Sequence, residues 1–368
     1  MSRRRRWTTV LGALVVLMLA GSAGAFAGLK ALGNRYEGAV KRADLLGSAA
    51  PSPLASPDPP KVTGPMTFLL IGSDSRAGDN ANPDTADGSV AAVGGQRSDV
   101  IILVHIPRAT NHAYVISIPR DSYIPIATQD GTPGDRNKIN AAFAWGGAPR
   151  LVQTLNSFIG GRIDYPVIVD FAAIRKLTDL VGGVDVVVDK TSKDGYRFLP
   201  ANTRYPTTPC VDTQGKPQHC LVFPAGTVHL DGQLAEYYVR QRKGLPNDDF
   251  DRAKRHQQYL RALMAKVTTG GLLTNPVKFD EFVRTAASSL TVDKRMPVQS
   301  LAFSLKGLRT PDLTFMTMPI SADRDIAGKG SVMIPDKAQC ADLFAALRTD
   351  TLDQYVRKYP PNDVSHGR

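Results

Sequence analysis

Arginine and aspartate recur together at short spacing along this chain. They fall in Gly72-Ser73-Asp74-Ser75-Arg76, Arg97-Ser98-Asp99, Pro119-Arg120-Asp121, Arg240-Gln241-Arg242, and the run Asp248-Asp249-Phe250-Asp251-Arg252 that continues through Arg255 and His256. A guanidinium group is planar, always charged, and grips two oxygens of one phosphate at once, which lysine cannot do. The chemistry these motifs suit is recognition of a multiply charged phosphate substrate.

Taken singly, each motif has a plainer reading. Gly-Ser-Asp-Ser makes a turn in which aspartate bonds its own backbone. Arg97 with Asp99, and Arg120 with Asp121, make exposed pairs of little energetic worth. Arg240 and Arg242, if extended, project to one side and could form a solvated basic face. In the last run, at about 100° per residue, Leu260, Leu263, Met264 and Val267 define a buried helical face. Asp249, Ala253 and His256 continue it, Arg252 lies at its edge, and Arg255 falls on the solvated side. Charged residues that extend an apolar stripe off a helix N-terminus should line a cavity, although a satisfied buried histidine remains open for His256.

The apolar runs define the elements that must carry these motifs. Residues 66–72, 99–106, 113–118, 166–169 and 184–188 are predicted strands; 139–145, 150–159, 171–181, 231–238 and 250–268 are predicted helices. Residues 79–95 and 191–223, rich in polar and turn-forming types, are expected as loops. Three motifs thus follow or precede successive strands, and strand ends are where open sheets hold ligands. The alternation of strands and helices indicates an α/β (α+β) fold with a central sheet. Walker A, Gly-x-Ser-x-Gly, His-Glu-x-x-His and dinucleotide fingerprints are absent from the sequence, and Asp79, Asp84 and Asp87 do not have EF-hand spacing.

The N-terminus narrows the setting. Arg3 to Arg6 form a basic block (1–6) followed by an uncharged, mostly apolar run at 7–29, long enough to span a bilayer of roughly 30 Å. The arginines favour a cytoplasmic N-terminus and send the rest outward. Ala25-Phe26-Ala27 leaves a cleaved signal peptide as the competing reading, and both export the main domain. A linker at 30–64, with the Pro- and Ser-rich stretch 49–60, precedes a domain at 65–348 and a tail at 349–368. The net charge of +11 points to anionic partners, and export turns that from nucleic acid toward phosphate substrates and membrane lipid. Cys210 and Cys220 suit a disulfide in this compartment, with two free thiols or a metal site as alternatives; Cys340 reads as a buried thiol.

In this order the stretches LLIGSDSR, GGQRSDVIILVHI, VISIPRDSYI, KINAAFAWGG, DLVGGVDVVVD, LDGQLAEYYVRQR and DDFDRAKRHQQ resemble the LytR-CpsA-Psr family of cell-wall glycopolymer ligases, in an actinobacterial form. The resemblance covers about residues 66–268. It implies a single domain whose mixed sheet is flanked by helices and anchored by one transmembrane helix. The implied enzyme is a phosphotransferase that moves a glycopolymer from a polyprenyl-diphosphate carrier to a peptidoglycan sugar hydroxyl. Asp74 and Asp99 would hold Mg²⁺ (or Mn²⁺). Arg76, Arg97, Arg120, Arg240, Arg242, Arg252, Arg255 and His256 would bind or order the diphosphate. Asp249 would be the carboxylate near the acceptor, and Arg120 would share in catalysis. Two features depart from the family: His256 stands where many members have glutamine, and the stretch between Ser75 and Arg97 is long. A polyprenyl-diphosphate hydrolase and a non-catalytic wall-stress regulator are the competing readings.

Overall fold

The computed structural model describes residues 40–49, 64–73, 98–108, 112–170, 172–200, 202–212, 214–241, 244–245, 248–269, 276–296 and 313–361. The expected anchor at 7–29, most of the linker and the end of the tail lie outside these residues. Among the described residues no helix is long and apolar enough to cross a membrane. The chain divides into two compact units: residues 172–279 form the second, and the described residues before and after them form the first.

The first unit is built on a seven-stranded mixed sheet of β1 (Lys41–Ala43), β2 (Met66–Ser73), β3 (Ser98–Ile106), β4 (Ala113–Ile118), β7 (Tyr165–Asp170), β13 (Leu290–Asp293) and β14 (Leu313–Thr317). Their spatial order is β1-β13-β7-β2-β3-β4-β14. β2 lies in the middle, and Phe68, Leu69 and Ile71 are fully buried on alternating sides. Near-continuous apolar runs such as MTFLLIGS and AYVISI are what a sheet covered on both faces requires.

One face packs on α1 (Asn140–Ile159) and on α6 (Lys337–Arg348), joined in a single apolar cluster that includes Leu151, Leu155, Leu343 and Phe344. α1 is two helical segments, as the sequence suggests, because Gly146 and Gly147 leave helical angles and Gly147 takes a φ of 62°. Pro149, which lacks an N–H, sits in the first turn after the break, where no donor is missed. α5 (Pro276–Ser288) and α7 (Leu352–Lys358) contribute Phe282, Val283 and Tyr355 to the buried set. Two hairpins complete this unit: β5 (Tyr123–Ala127) with β6 (Pro133–Lys138), and β15 (Ile320–Ile326) with β16 (Gly330–Pro335).

The second unit contains α2 (Ala172–Leu180), α3 (Gly232–Arg240), α4 (Asp248–Thr269) and five strands. β8 (Val184–Val188) pairs antiparallel with β12 (Gly226–Leu230). Asp231 caps α3 by accepting from the Leu234 N–H at 2.8 Å, as its position predicts. The expectation of a loop at 191–223 is wrong. β9 (Ser192–Phe198), β10 (Thr207–Val211) and β11 (Pro217–Phe223) form an antiparallel sheet there. β9 and β10 are mostly polar, and β11 turns apolar only in its last four residues, where Cys220, Leu221 and Phe223 are buried, so little apolar alternation marks the three strands. A disulfide joins Cys210 to Cys220, tying β10 to β11 with Cα atoms 5.9 Å apart.

Candidate active site

Strand direction places one set of motifs at a single sheet edge in the first unit. β2 runs parallel to β7 and antiparallel to β3, and β3 is antiparallel to β4. The carboxyl ends of β2, β4 and β7 and the amino end of β3 therefore share that edge. Ser73 pairs with Ser98 on one side and Asp170 on the other. The register slips between Gly72↔Val100 and Ser73↔Ser98, so Asp99 falls in a bulge. Bulges re-aim side chains beside functional sites. Asp74 follows Ser73 in sequence; it, Arg76 and Arg97 lie outside the described residues. The sheet also brings Asp170 to this edge, which motif reading overlooks. Its signal is the run YPVIVD, another apolar strand that ends in aspartate.

Arg120 follows β4 and its side chain is only 6% exposed. Its Nε lies 3.4 Å from Asp121, whose other oxygen is 3.3 Å from Lys138 Nζ. An exposed pair is thus the wrong description. The turn is held from several directions: Ser122 N–H and Oγ donate to the Pro119 carbonyl at 3.1 and 2.6 Å. Asn140 N–H donates to Arg120 O at 3.1 Å, and Met333 N–H to Asp121 O at 2.9 Å. The backbone on either side of the buried Arg120 guanidinium is thus fixed by hydrogen bonds.

Two aspartates offer the hard oxygen donors that Mg²⁺ takes. The bulge holds the backbone of Asp99 beside the end of the strand that leads into Asp74. By donor type the two aspartates suit such an ion.

In the second unit Arg252, Arg255 and His256 are all buried. Tyr259, Leu263 and Val267 continue their stripe. Tyr259, rather than Leu260, turns inward, and this rotates the buried face toward Arg255. The solvated position that helical spacing predicts for Arg255 is therefore incorrect. Arg255 is 5% exposed. It donates to Ser192 Oγ at 2.5 Å, to the Tyr238 carbonyl at 3.5 Å and to Gln241 Oε1. Its guanidinium carbon lies 4.3 Å from the Tyr238 ring centroid and 4.9 Å from that of Phe223. Burial pushes its pKa down to about 10, so it stays charged at neutral pH. Arg255 orders the end of α3 rather than facing solvent.

His256 Nε2 donates to the Val239 carbonyl at 2.8 Å, the buried, satisfied arrangement. Arg240 is the last residue of α3, so it is helical rather than extended as expected. Its Nη1 donates to Glu236 Oε1 at 2.8 Å. Arg242 lies outside the described residues. Asp249 occupies the first turn of α4, and its side chain is likewise outside them.

The model of the LytR_cpsA_psr family matches residues 30–349 of this chain. The chain belongs to that family. LytR_cpsA_psr relatives include the probable cell wall biosynthesis protein LcpB of Corynebacterium glutamicum, 32% identical over 289 residues. That match covers 78% of this chain and 62% of LcpB, so the chain spans less than two thirds of the relative's length. The polyisoprenyl-teichoic acid–peptidoglycan teichoic acid transferase TagU of Bacillus cereus is 28% identical over 211 residues, 57% of this chain and 55% of TagU. The crystal structure of Bacillus subtilis TagV superposes with a TM-score of 0.56 at 24% identity, covering 78% of this chain and 98% of that one. The expected mixed sheet flanked by helices is the fold of this LytR_cpsA_psr chain.

Proposed function

We propose that the chain moves a glycopolymer from a polyprenyl-diphosphate carrier onto a peptidoglycan sugar hydroxyl. The observation that carries this reading is the buried Arg120 guanidinium at the sheet edge where β2 leads into Asp74 and β3 opens with Ser98 and Asp99. The LytR_cpsA_psr membership supports it, as does the likeness to a protein named as a teichoic acid transferase.

The acceptor hydroxyl oxygen attacks the phosphorus that bears the glycopolymer. A new P–O bond forms, the bridging P–O bond breaks, and polyprenyl phosphate leaves with the electron pair. The hydroxyl proton goes to the Asp249 carboxylate, acting as general base. The reaction is slow unaided because the diphosphate's own charge repels the incoming oxygen. Arg120 lowers that charge and holds the diphosphate. Arg76, Arg97, Arg240, Arg242 and Arg252 add phosphate contacts, while Arg255 and His256 order the backbone beside them. Asp74 and Asp99 would hold Mg²⁺ (or Mn²⁺), which supplies neutralisation of the diphosphate and of the departing phosphate. The run at 7–29, as an anchor, keeps the domain at the outer membrane face where a polyprenyl carrier resides.

The test incubates the purified chain with a synthetic polyprenyl-diphosphate oligosaccharide, with and without peptidoglycan. The expected product is an oligosaccharide joined to peptidoglycan through a phosphodiester, lost in Asp249→Ala. Release of phosphorylated oligosaccharide alone would make the chain a hydrolase, and no turnover under either condition would make it a binder.

A further inference from the structure

Glu236 is an unusual residue for its place in α3. Its neighbours Leu234, Ala235, Tyr237, Tyr238 and Val239 are buried, and its own side chain is only 10% exposed. Each carboxylate oxygen takes a different guanidinium. Arg240 Nη1 donates to Oε1 at 2.8 Å from one turn along the helix, and Arg175 Nε donates to Oε2 from α2. Removing a carboxylate from water is costly even when it is paired, and an apolar side chain would fill this position more cheaply. Stability does not account for Glu236.

Its geometry suggests another purpose. Two guanidinium groups repel each other, and a carboxylate between them holds them close while leaving a net positive charge. The carboxylate is sheltered, yet Arg175 is 50% exposed and Arg240 28% exposed. The spacing of the helices that carry them is fixed. Gly232 leaves no room for a Cβ against the Arg175 carbonyl and the Asp179 carboxylate, and Gly232 N–H donates to Asp179 Oδ1 at 2.8 Å. Thr178 Oγ1 and Tyr259 OH, 2.9 Å apart, tie α2 to α4. The packing of the unit therefore sets the approach of α2 to α3, and the shared carboxylate brings the two guanidiniums to one place.

We propose that Arg175 and Arg240, joined through Glu236, form a paired-guanidinium receptor for the two phosphates of the donor's diphosphate. Arg175 is a binding residue and Glu236 a positioning residue. This rests on the donor reading above and extends it to a residue, Arg175, that no motif in the sequence marks.

Calorimetric titration of the full chain with geranylgeranyl diphosphate and with geranylgeranyl monophosphate tests it, alongside Arg175→Gln and the charge-neutral double variant Arg175→Leu/Glu236→Leu. Arg175→Gln changes a half-exposed side chain and can still donate to Glu236. We expect it to weaken diphosphate binding about tenfold and monophosphate binding far less, with the Tm unchanged. The double variant keeps the net charge and should show the same loss of preference for diphosphate over monophosphate. A purely structural cluster would shift the Tm and leave that ratio alone. A fall of less than about threefold in diphosphate affinity for Arg175→Gln overturns the receptor while leaving the donor reading standing. Failure of the parent chain to bind geranylgeranyl diphosphate overturns both.

Discussion

The two units of this chain solve burial in opposite ways. The first is cored by apolar side chains such as Phe68, Leu69, Leu103 and Ile116, and its buried arginine, Arg120, sits at a sheet edge. The second buries Glu236, Arg252, Arg255, His256 and Gln257 within two helices, α3 and α4. An apolar core tolerates its neighbours because dispersion and water exclusion are not directional. A charged interior survives only where each group meets a partner of the right geometry. The first arrangement gives a scaffold; the second holds guanidinium groups in set positions, at the risk that one lost partner strands another.

That contrast can be broken at its strongest point first. Phe68→Ala leaves a cavity beneath the central strand and should cost about 3–5 kcal/mol, read by denaturant unfolding with amide exchange following β2 and β3. Protection in those strands that survives unchanged would show the sheet core to be less tightly coupled than its packing implies.

Arg255→Met tests the other unit. It removes the donor to Gln241, Ser192 and the Tyr238 carbonyl, and should destabilise residues 172–279 by about 2–4 kcal/mol. Adding Gln241→Leu should recover part of the loss, since an apolar partner no longer leaves an acceptor stranded. If the single variant is as stable as the parent, the partners of Arg255 do not hold this interior together.

The smallest effect concerns a polar exception inside the apolar unit. His105 is buried, with Nε2 donating to Asp350 at 3.0 Å and Nδ1 lying 3.1 Å from Thr67 Oγ1. Burial holds its pKa below the ordinary 6.5, although Asp350 and Asp164 favour the charged form. The unfolded chain therefore takes up the proton first as pH falls. The stability that neutral His105 contributes is complete above pH 6.5 and is lost as pH drops through the lower folded value. Unfolding curves between pH 7 and 5 should slope more steeply for the parent than for His105→Gln, and equal slopes would remove His105 from this role.

Much of the first unit was legible in the sequence because its strands are apolar on both faces. The expected strand at 113–118 coincides with β4, and the Gly146-Gly147 break in α1 falls between the two helices expected there. The hairpin β5–β6 is not legible in the sequence because PGDRNK carries no apolar alternation. In the second unit the sheet at 192–223 reads as a loop in sequence because polar and turn-forming residues outnumber its one apolar stretch, CLVF. The motif arginines suggest an anion site by residue type, whereas Arg175 and Glu236 are ordinary in sequence, and only the approach of α2 to α3 brings them together.

Composition and local order by themselves determined the class of fold, the family pattern, the caps, and the kind of ligand a cluster of guanidiniums prefers. These depend on side-chain chemistry and on neighbours a few positions away. Tertiary structure alone decided that Arg255 is buried and that Arg240 ends a helix. It also decided that Glu236 joins two cations sixty-five positions apart in numbering, from 175 to 240. Burial and pairing between distant segments are properties of packing, and no local pattern encodes which partner a charge will meet.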